Sequence, residues 1–184
     1  MSKSDFGIGV YYDTDDYAGF FRRLIIICVD LFVFCSLISF GLILDEVLYD
    51  SFESYYEEYC TFGALILTYI YLTVIKISRF GTFGLALTNC KIVSIYGKKP
   101  SMYNMSFRFL FLFLGPVNLI IDLMWLTLNP EKRTVRDCYS QTYVIRKNSK
   151  HIGESPVHLC RIHVLGAMLM YPTVSKNHIT TKRA

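Results

Sequence analysis

Charged residues are scarce in this chain of 184 residues, where Asp, Glu, Lys and Arg make up 18%. Soluble domains carry about a quarter, and the mean hydropathy of +0.36 is high, so composition excludes an ordinary soluble domain. Tryptophan occurs once, whereas Phe and Tyr occur 14 times each. Aromatic rings suit the boundary between membrane and water. The composition predicts one membrane-embedded domain.

The motifs of most catalytic and metal-binding sites are also missing. None of the six cysteines forms a CxxC pair, and the sequence holds no P-loop, dinucleotide fingerprint or nucleophile triad. The segment HLCRIH (158–163) has too few ligands for zinc. We therefore expect no enzyme activity, no cofactor and no metal. Four acids and one base precede Arg22, a balance that argues against a cleaved signal peptide.

Charge of one sign is absent from whole stretches of the chain. Residues 45–60 contain six acids and no base, and residues 79–108 contain five bases and no acid. Residues 129–150 contain six bases and two acids. These blocks alternate with apolar ones, as loops on opposite sides of a membrane do. A nucleic-acid-binding protein would carry its bases as one stripe on a soluble fold, so we expect no nucleic-acid partner.

The first two apolar blocks, residues 24–44 and 61–78, predict a transmembrane hairpin. The 21 residues of the first block suffice to span a bilayer core, which needs about 20, and in the shorter second block Lys76 can reach the headgroups by snorkelling. Because Lys and Arg favour the inner side, the N-terminus and the 79–108 loop are expected inside and the acidic loop 45–60 outside. The sequence does not indicate which membrane. A buried soluble helix pair is the alternative interpretation.

The third apolar block, residues 109–128, is interrupted by a hinge at Gly115 and Pro116. Proline removes a helical hydrogen bond and predicts a kink or break. Basic residues flank the block on both sides, so a straight third span conflicts with the charge bias. A broken segment that returns to the inner side is the interpretation that we favour, and a full third span remains the alternative.

Two short alternating stretches predict a small β element on the inner side. KIVSIY (91–96) is followed by a turn sequence, and QTYVIRK (141–147) has the same alternation. The two stretches are candidates to pair. The chain thus divides into an N-terminal extension (1–16), a membrane domain (17–145) and a basic tail (146–184). The fold class is mainly α and integral to the membrane.

Three motifs in order resemble the RDD family, small integral membrane proteins named for one arginine and two aspartates. They read AGFFRRLIIICVD, with Arg23 and Asp30, then GTFGLALTNCKIVSIYGKKPS, then LIIDLMWLTLNPEKRTVRDCYSQTYVI, with Asp122 and Asp137. Arg108 matches a basic residue common before the third block. The resemblance implies either cation/proton antiport or a module in a membrane assembly, because some members are linked to each.

Asp30 is the strongest functional candidate, because a buried aspartate must be neutral, paired or hydrated. Its expected partner is Arg108, Arg136 or the strand–turn segment, while Arg23 points to the headgroups. In one hypothesis Asp30 completes a structural ion pair. In the other it binds a proton or cation, with Asp122 as a second carboxylate and Asn118 or Ser36 as neutral ligands. The residues proposed for this network are Arg23, Asp30, Arg108, Asp122, Arg136 and Asp137.

The leading hypothesis is a non-enzymatic component that stabilises or assembles a larger membrane complex. Its partners would be membrane lipids and either other subunits or further copies of the chain. Two or three helices do not easily enclose a path, so the alternative, cation/proton antiport centred on Asp30, requires an oligomer.

Overall fold

The computed structural model describes residues 7–52, 59–111, 121–122, 124–126, 132–164 and 167–174. These residues form two compact units. The helical unit is Phe21–Thr88, and the β unit combines Met1–Phe20 with Asn89–Ala184. The predicted hinge at Gly115 and Pro116, and the candidate ligand Asn118, lie outside the described residues.

Within its described residues, the helical unit contains three helices and one π-helical turn. Helix α1 is Phe20–Phe52, α2 is Tyr59–Ile70, the π-helical turn is Tyr71–Ile75, and α3 is Phe83–Leu87. Helix α1 extends the predicted 24–44 segment at both ends, so Asp45 and Glu46 are helical. The segment from Phe20 to Leu48 has 29 residues and is long and apolar enough to cross a membrane.

Helices α1 and α2 pack in opposite directions. Near the end of α1, the Asp45 carboxylate accepts hydrogen bonds from the backbone N–H groups of Cys60 and Thr61, both at 2.9 Å, so it satisfies amides that the helix leaves unpaired. A Cβ on Gly41 would lie 2.8 Å from that of Ala64, which shows how closely the helices approach. The combined segment Tyr59–Ile75 is a shorter apolar helix, and its crossing of a membrane remains a prediction.

The first sheet of the β unit is an antiparallel pair of strands. Strand β2 is Cys90–Ser94 and β3 is Thr142–Arg146, and they pair with Ile92 opposite Val144. The predicted pairing of the two alternating stretches is confirmed. Helices α4 (Met102–Leu110) and α5 (Val135–Tyr139) lie between the strands in sequence. Helix α4 begins before the third apolar block and includes its first two residues.

A second sheet joins the two ends of the chain. It contains β1 (Ile8–Tyr11), β4 (Gly153–Val164) and β5 (Ala167–Val174) in the order β1-β4-β5, all antiparallel. The N-terminal extension and the tail, separate in the sequence-based division 1–16, 17–145 and 146–184, therefore belong to one sheet. Both sheets contribute to one buried core: Val10, Tyr11, Tyr12, Tyr17, Val93, Ile95, Tyr143, Ile145, Val157 and Val174.

The turn after β2 explains why the two sheets share that core. Gly97 has a φ of +75°, a conformation that glycine adopts without steric cost. A Cβ at Gly97 would lie 3.1 Å from the Val10 side chain. The backbone N–H of Val10 donates to the Ile95 carbonyl at 2.8 Å, so β1 is fastened directly to this turn.

Candidate functional site

Asp30 lies on the buried side of α1 and is surrounded by donors from its own chain. Its residue is 5% exposed. Lys76 Nζ lies 2.7 Å from Oδ2, and the Thr82 hydroxyl donates to the same oxygen at 3.2 Å. Oδ1 accepts the backbone N–H of Gly84 at 3.3 Å and the Tyr71 hydroxyl at 3.4 Å. Both carboxylate oxygens are therefore hydrogen-bonded, and the negative charge has a partner.

The identity of that partner corrects the sequence-based expectation. Arg108 and Arg136 bind other carboxylates, described below, and Lys76 forms the ion pair with Asp30. The Lys76 side chain is 16% exposed, so the prediction that it snorkels to the headgroups was wrong. Arg23, also expected at the headgroups, is 4% exposed. Arg23, Ile26 and Asp30 form one buried row on α1, at the three- and four-residue spacing of a helix face.

The π-helical turn explains why Lys76 reaches Asp30. In an α-helix, at 3.6 residues per turn, positions five apart point about 140° away from each other. A π-helical turn closes hydrogen bonds from i to i+5, which brings residues five apart onto the same side. Tyr71 and Lys76 are five apart across the turn Tyr71–Ile75, and both contact the Asp30 carboxylate. Single π-helical turns are frequent at functional sites.

The glycines of the GTFG motif allow α3 to approach α1. Gly81 has a φ of +72°, and Thr82 follows with the extended backbone that begins α3. At Gly84 a Cβ would lie 2.7 Å from the Ile26 carbonyl oxygen and 2.9 Å from Asp30 Oδ1. Any side chain there would displace the amide that the carboxylate binds. The backbone N–H of Phe83 donates to the Tyr71 hydroxyl at 3.0 Å, which completes the cluster.

A second carboxylate, Asp137, is completely buried at the start of α5. Its side chain forms an ion pair with Arg108. The same side chain accepts the Thr134 backbone N–H at 3.3 Å, and the Thr134 hydroxyl accepts the Asp137 N–H at 3.2 Å. This reciprocal pair is a capping box. Asp137 thus fixes the first turn of α5 and attaches α4 to it through Arg108.

The third carboxylate, Asp122, is also completely buried and pairs with Arg136. The Arg136 side chain and its backbone N–H both donate to Asp122. Burial lowers the pKa of the Arg136 guanidinium below its ordinary value, and the nearby Asp122 charge opposes that shift. The expected charge network therefore divides by unit: Asp30 belongs to the helical unit, whereas the two arginine–aspartate pairs belong to the β unit.

Sequence reasoning missed Arg133, which the structure buries completely. Its guanidinium lies 4.9 Å from the centre of the Tyr143 ring and 5.8 Å from that of Tyr171, distances at which a cation is attracted to an aromatic face. It donates to the Pro172 carbonyl at 3.1 Å, which attaches β5 to the chain before α5. The basic loop gave no signal that singled out this arginine from its neighbours.

The candidate ion ligands proposed beside Asp30 are not gathered into a coordination site among the described residues. The Ser36 hydroxyl donates to the Phe32 carbonyl of its own helix at 2.9 Å. Within the part of the chain that the structure describes, no cluster of three or more His, Cys, Asp and Glu side chains is arranged to hold a metal. The chemistry that the Asp30 cluster supports is charge pairing and hydrogen bonding.

The apolar helix α1, with its buried Arg23 and Asp30, defines a mostly helical, membrane-associated class of protein with some strands. Residues 17–141, more than half of the chain, match the RDD family. The chain belongs to the RDD family. Family membership and α1 together indicate a membrane location. No curated protein and no solved structure matches the chain.

Proposed function

We propose that this chain is a non-enzymatic component that assembles or stabilises a larger membrane complex. The structural, non-enzymatic part of the proposal rests on the saturation of Asp30, and the assembly part rests on the exposed surface of α1. Its four contacts come from Lys76, Tyr71, Thr82 and Gly84, so the carboxylate joins α1 to the π-helical turn and to α3. A carboxylate with all its contacts made inside the chain serves as a structural connection.

The exposed surface of the apolar helices supports the assembly role. Only 17% of the apolar window in the candidate span is buried within the chain. Phe32 is 73% exposed, Phe40 61% and Ile43 57%. Such side chains face either lipid or other membrane helices. Because helices associate in membranes through packing rather than through a hydrophobic force, this surface offers ample area for a partner helix.

The proposal is tested by the mass of the chain in mild detergent. Native mass spectrometry is expected to find it in a stoichiometric complex heavier than the 21.3 kDa monomer. Phe32, Phe40 and Ile43 lie on one face of α1, and alanine replacements there are expected to weaken the complex. Leu31→Ala and Leu42→Ala, at exposed positions on another face of the same helix, are the controls and are expected to leave it intact. A stable lone monomer in several mild detergents would contradict the proposal.

Cation/proton antiport by an oligomer is the second candidate. The observation that favours it is a buried carboxylate in the apolar helix α1, paired with an ammonium and bordered by the hydroxyls of Tyr71 and Thr82. Intramembrane ionisable residues commonly mark ion pathways. An inorganic cation that displaced the Lys76 ammonium would meet the same oxygens.

Vesicles that contain the purified chain and a pH-sensitive dye test the second candidate. Antiport predicts proton flux driven by a cation gradient, and loss of that flux in Asp30→Asn. The matched control is Asp45→Asn. Asp45 also lies on α1, and its carboxylate caps the start of α2. Unchanged flux in Asp30→Asn, or equal loss in both variants, would refute an ion site at Asp30.

A further inference from the structure

The outer half of the β4–β5 hairpin, residues 158–164 and 167–173, is here named the distal ribbon. Strand β1 pairs with β4 from Gly153 to Pro156, and β5 pairs with β4 from Val157 onwards. Among the described residues the distal ribbon therefore consists of β4 and β5 alone, because β1 pairs with β4 only before the ribbon begins. Two-stranded ribbons are marginally stable in water by themselves, so a surface that covers this ribbon would stabilise it.

The two faces of the distal ribbon differ sharply. Successive side chains of a strand point to opposite faces, and directly opposed residues share a face. Cys160 is opposite Tyr171, and that face packs against Trp125 and Cys138. Arg161 is opposite Met170 on the other face, where both side chains are exposed. Among the described residues, one face of the ribbon thus packs within the β unit and the other is uncovered.

The open face is apolar and cationic. Leu159 is 39% exposed, Met168 51% and Met170 43%, and Arg161 is exposed beside them. Residues 155–174 contain no Asp or Glu. In the same unit, Asp13, Thr14 and Asp15 are exposed, so the absence of acids is a local property of the distal ribbon.

We propose that the open face of the distal ribbon docks on the anionic lipid surface of the membrane that holds the chain. Apolar side chains with interspersed arginine suit the headgroup boundary, where Met and Leu enter the acyl region and the guanidinium meets lipid phosphates. A second copy of this face would place Arg161 against Arg161, and like charges oppose that contact. The inference requires a membrane location and is independent of the complex proposed above.

Hydrogen exchange of the full chain in lipid nanodiscs tests the docking. Amide exchange across the distal ribbon is compared in phosphatidylcholine discs with and without phosphatidylserine. Anionic lipid is expected to slow exchange about fivefold, the factor given by ~1 kcal/mol for one arginine near an anionic surface. High salt should reverse the effect, because charge at a surface is screened within about a Debye length. Exchange at the exposed acidic segment Asp13–Asp15, which anionic lipid does not attract, should stay unchanged.

Matched variants separate docking from general effects. Arg161→Gln is expected to remove the dependence on anionic lipid, and Arg146→Gln, at an exposed arginine of β3, is expected to keep it. Amide exchange across strand β2, Cys90–Ser94, monitors the folding of each variant. Met170→Ser provides a second variant, which keeps the positive charge of Arg161. Exchange that is independent of lipid charge would overturn the proposal. Protection that instead follows the number of chains per disc would also overturn it, in favour of a second copy.

Discussion

Lys76 Nζ lies 2.7 Å from Asp30 Oδ2, across 46 residues of sequence. The ion pair joins α1 to the end of the π-helical turn, and both side chains are mostly buried. A buried ion pair adds little net stability compared with apolar replacements, but removal of one partner leaves a buried charge uncompensated. The ion pair therefore acts chiefly as a specific contact that holds α1 against the end of the π-helical turn.

The first prediction concerns the coupling of these two charges. Asp30→Asn and Lys76→Met are each expected to lower the free energy of unfolding by about 3–5 kcal/mol. The double variant should lose less than the sum, with a coupling energy of about 0.5–3 kcal/mol, because neither charge is then left unpaired. Denaturation in detergent measures all four proteins. Asp30→Asn combined with Lys98→Met, at an exposed lysine, is the additive control, and additivity in the test pair would contradict the coupling.

The second prediction concerns Gly84. Gly84→Ala is expected to destabilise the chain by about 1–3 kcal/mol, the usual cost of overpacking, because its Cβ would lie 2.7 Å from the Ile26 carbonyl oxygen. Gly63→Ala is the matched control, since no atom lies within 4 Å of a Cβ there, and alanine in α2 should stabilise by up to about 1 kcal/mol. Thermal unfolding in detergent compares them. Equal effects of the two replacements would show that α3 does not pack on α1 through Gly84.

The third prediction concerns the π-helical turn. A single π-helical turn inside a helix behaves as one extra residue, so deletion of Val74, which is 42% exposed, should restore regular α-helix. Tyr71 and Lys76 would then be four positions apart and still on one face. The coupling energy between Asp30 and Lys76 is expected to survive this deletion and to vanish when one alanine is inserted after Val74. The same double-mutant cycle in each background provides the measurement, and loss of coupling in the deletion would contradict this account.

The fourth prediction concerns the fully buried Asp137. Asp137→Asn is expected to cost about 3–5 kcal/mol because it leaves Arg108 without its charge partner. Thr134→Ala, which removes one half of the capping box, should cost about 0.5–2 kcal/mol. Chemical denaturation in detergent compares both with Asp13→Asn, an exposed aspartate whose replacement should fall within about 0.5 kcal/mol of the parent. Equal costs at Asp137 and Thr134 would show that the ion pair with Arg108 contributes nothing beyond the cap.

The sequence allowed the family, the long apolar helix and the β2–β3 pairing to be predicted, because each has a local signal. Alternating apolar and polar residues indicated both strands, and the RDD motifs indicated the order of the segments along the chain. The partner of Asp30 was mispredicted because Lys76, at the end of the second apolar block, was assigned to the headgroups, whereas it pairs with Asp30. The π-helical turn, which lets both Tyr71 and Lys76 contact Asp30, has no local signal in the sequence.

The β4–β5 hairpin was missed although a signal was available. The run VHLCRIHV alternates in part, the run AMLMYPTV is mostly apolar, and only Leu165 and Gly166 separate them, a spacing typical of a hairpin. The basic and histidine-containing composition of residues 146–184 indicated a polar tail instead. That β1 would pair with β4 has no local signal, because the pairing joins residues more than 140 positions apart.

The last prediction concerns pH and Tyr171. Burial raises the pKa of Tyr171 above its ordinary value. Above about pH 10, the ordinary tyrosine pKa, the unfolded chain loses this proton while the folded chain keeps it. The folded state then binds more protons, so its stability falls as pH rises. Tyr171→Phe should reduce that slope by up to about 1.4 kcal/mol per pH unit. Denaturation in detergent at constant salt, from about pH 8 to about pH 11, measures the slope. Tyr103→Phe, at a ring 79% exposed, is the control, and an equal change in both variants would contradict the assignment to Tyr171.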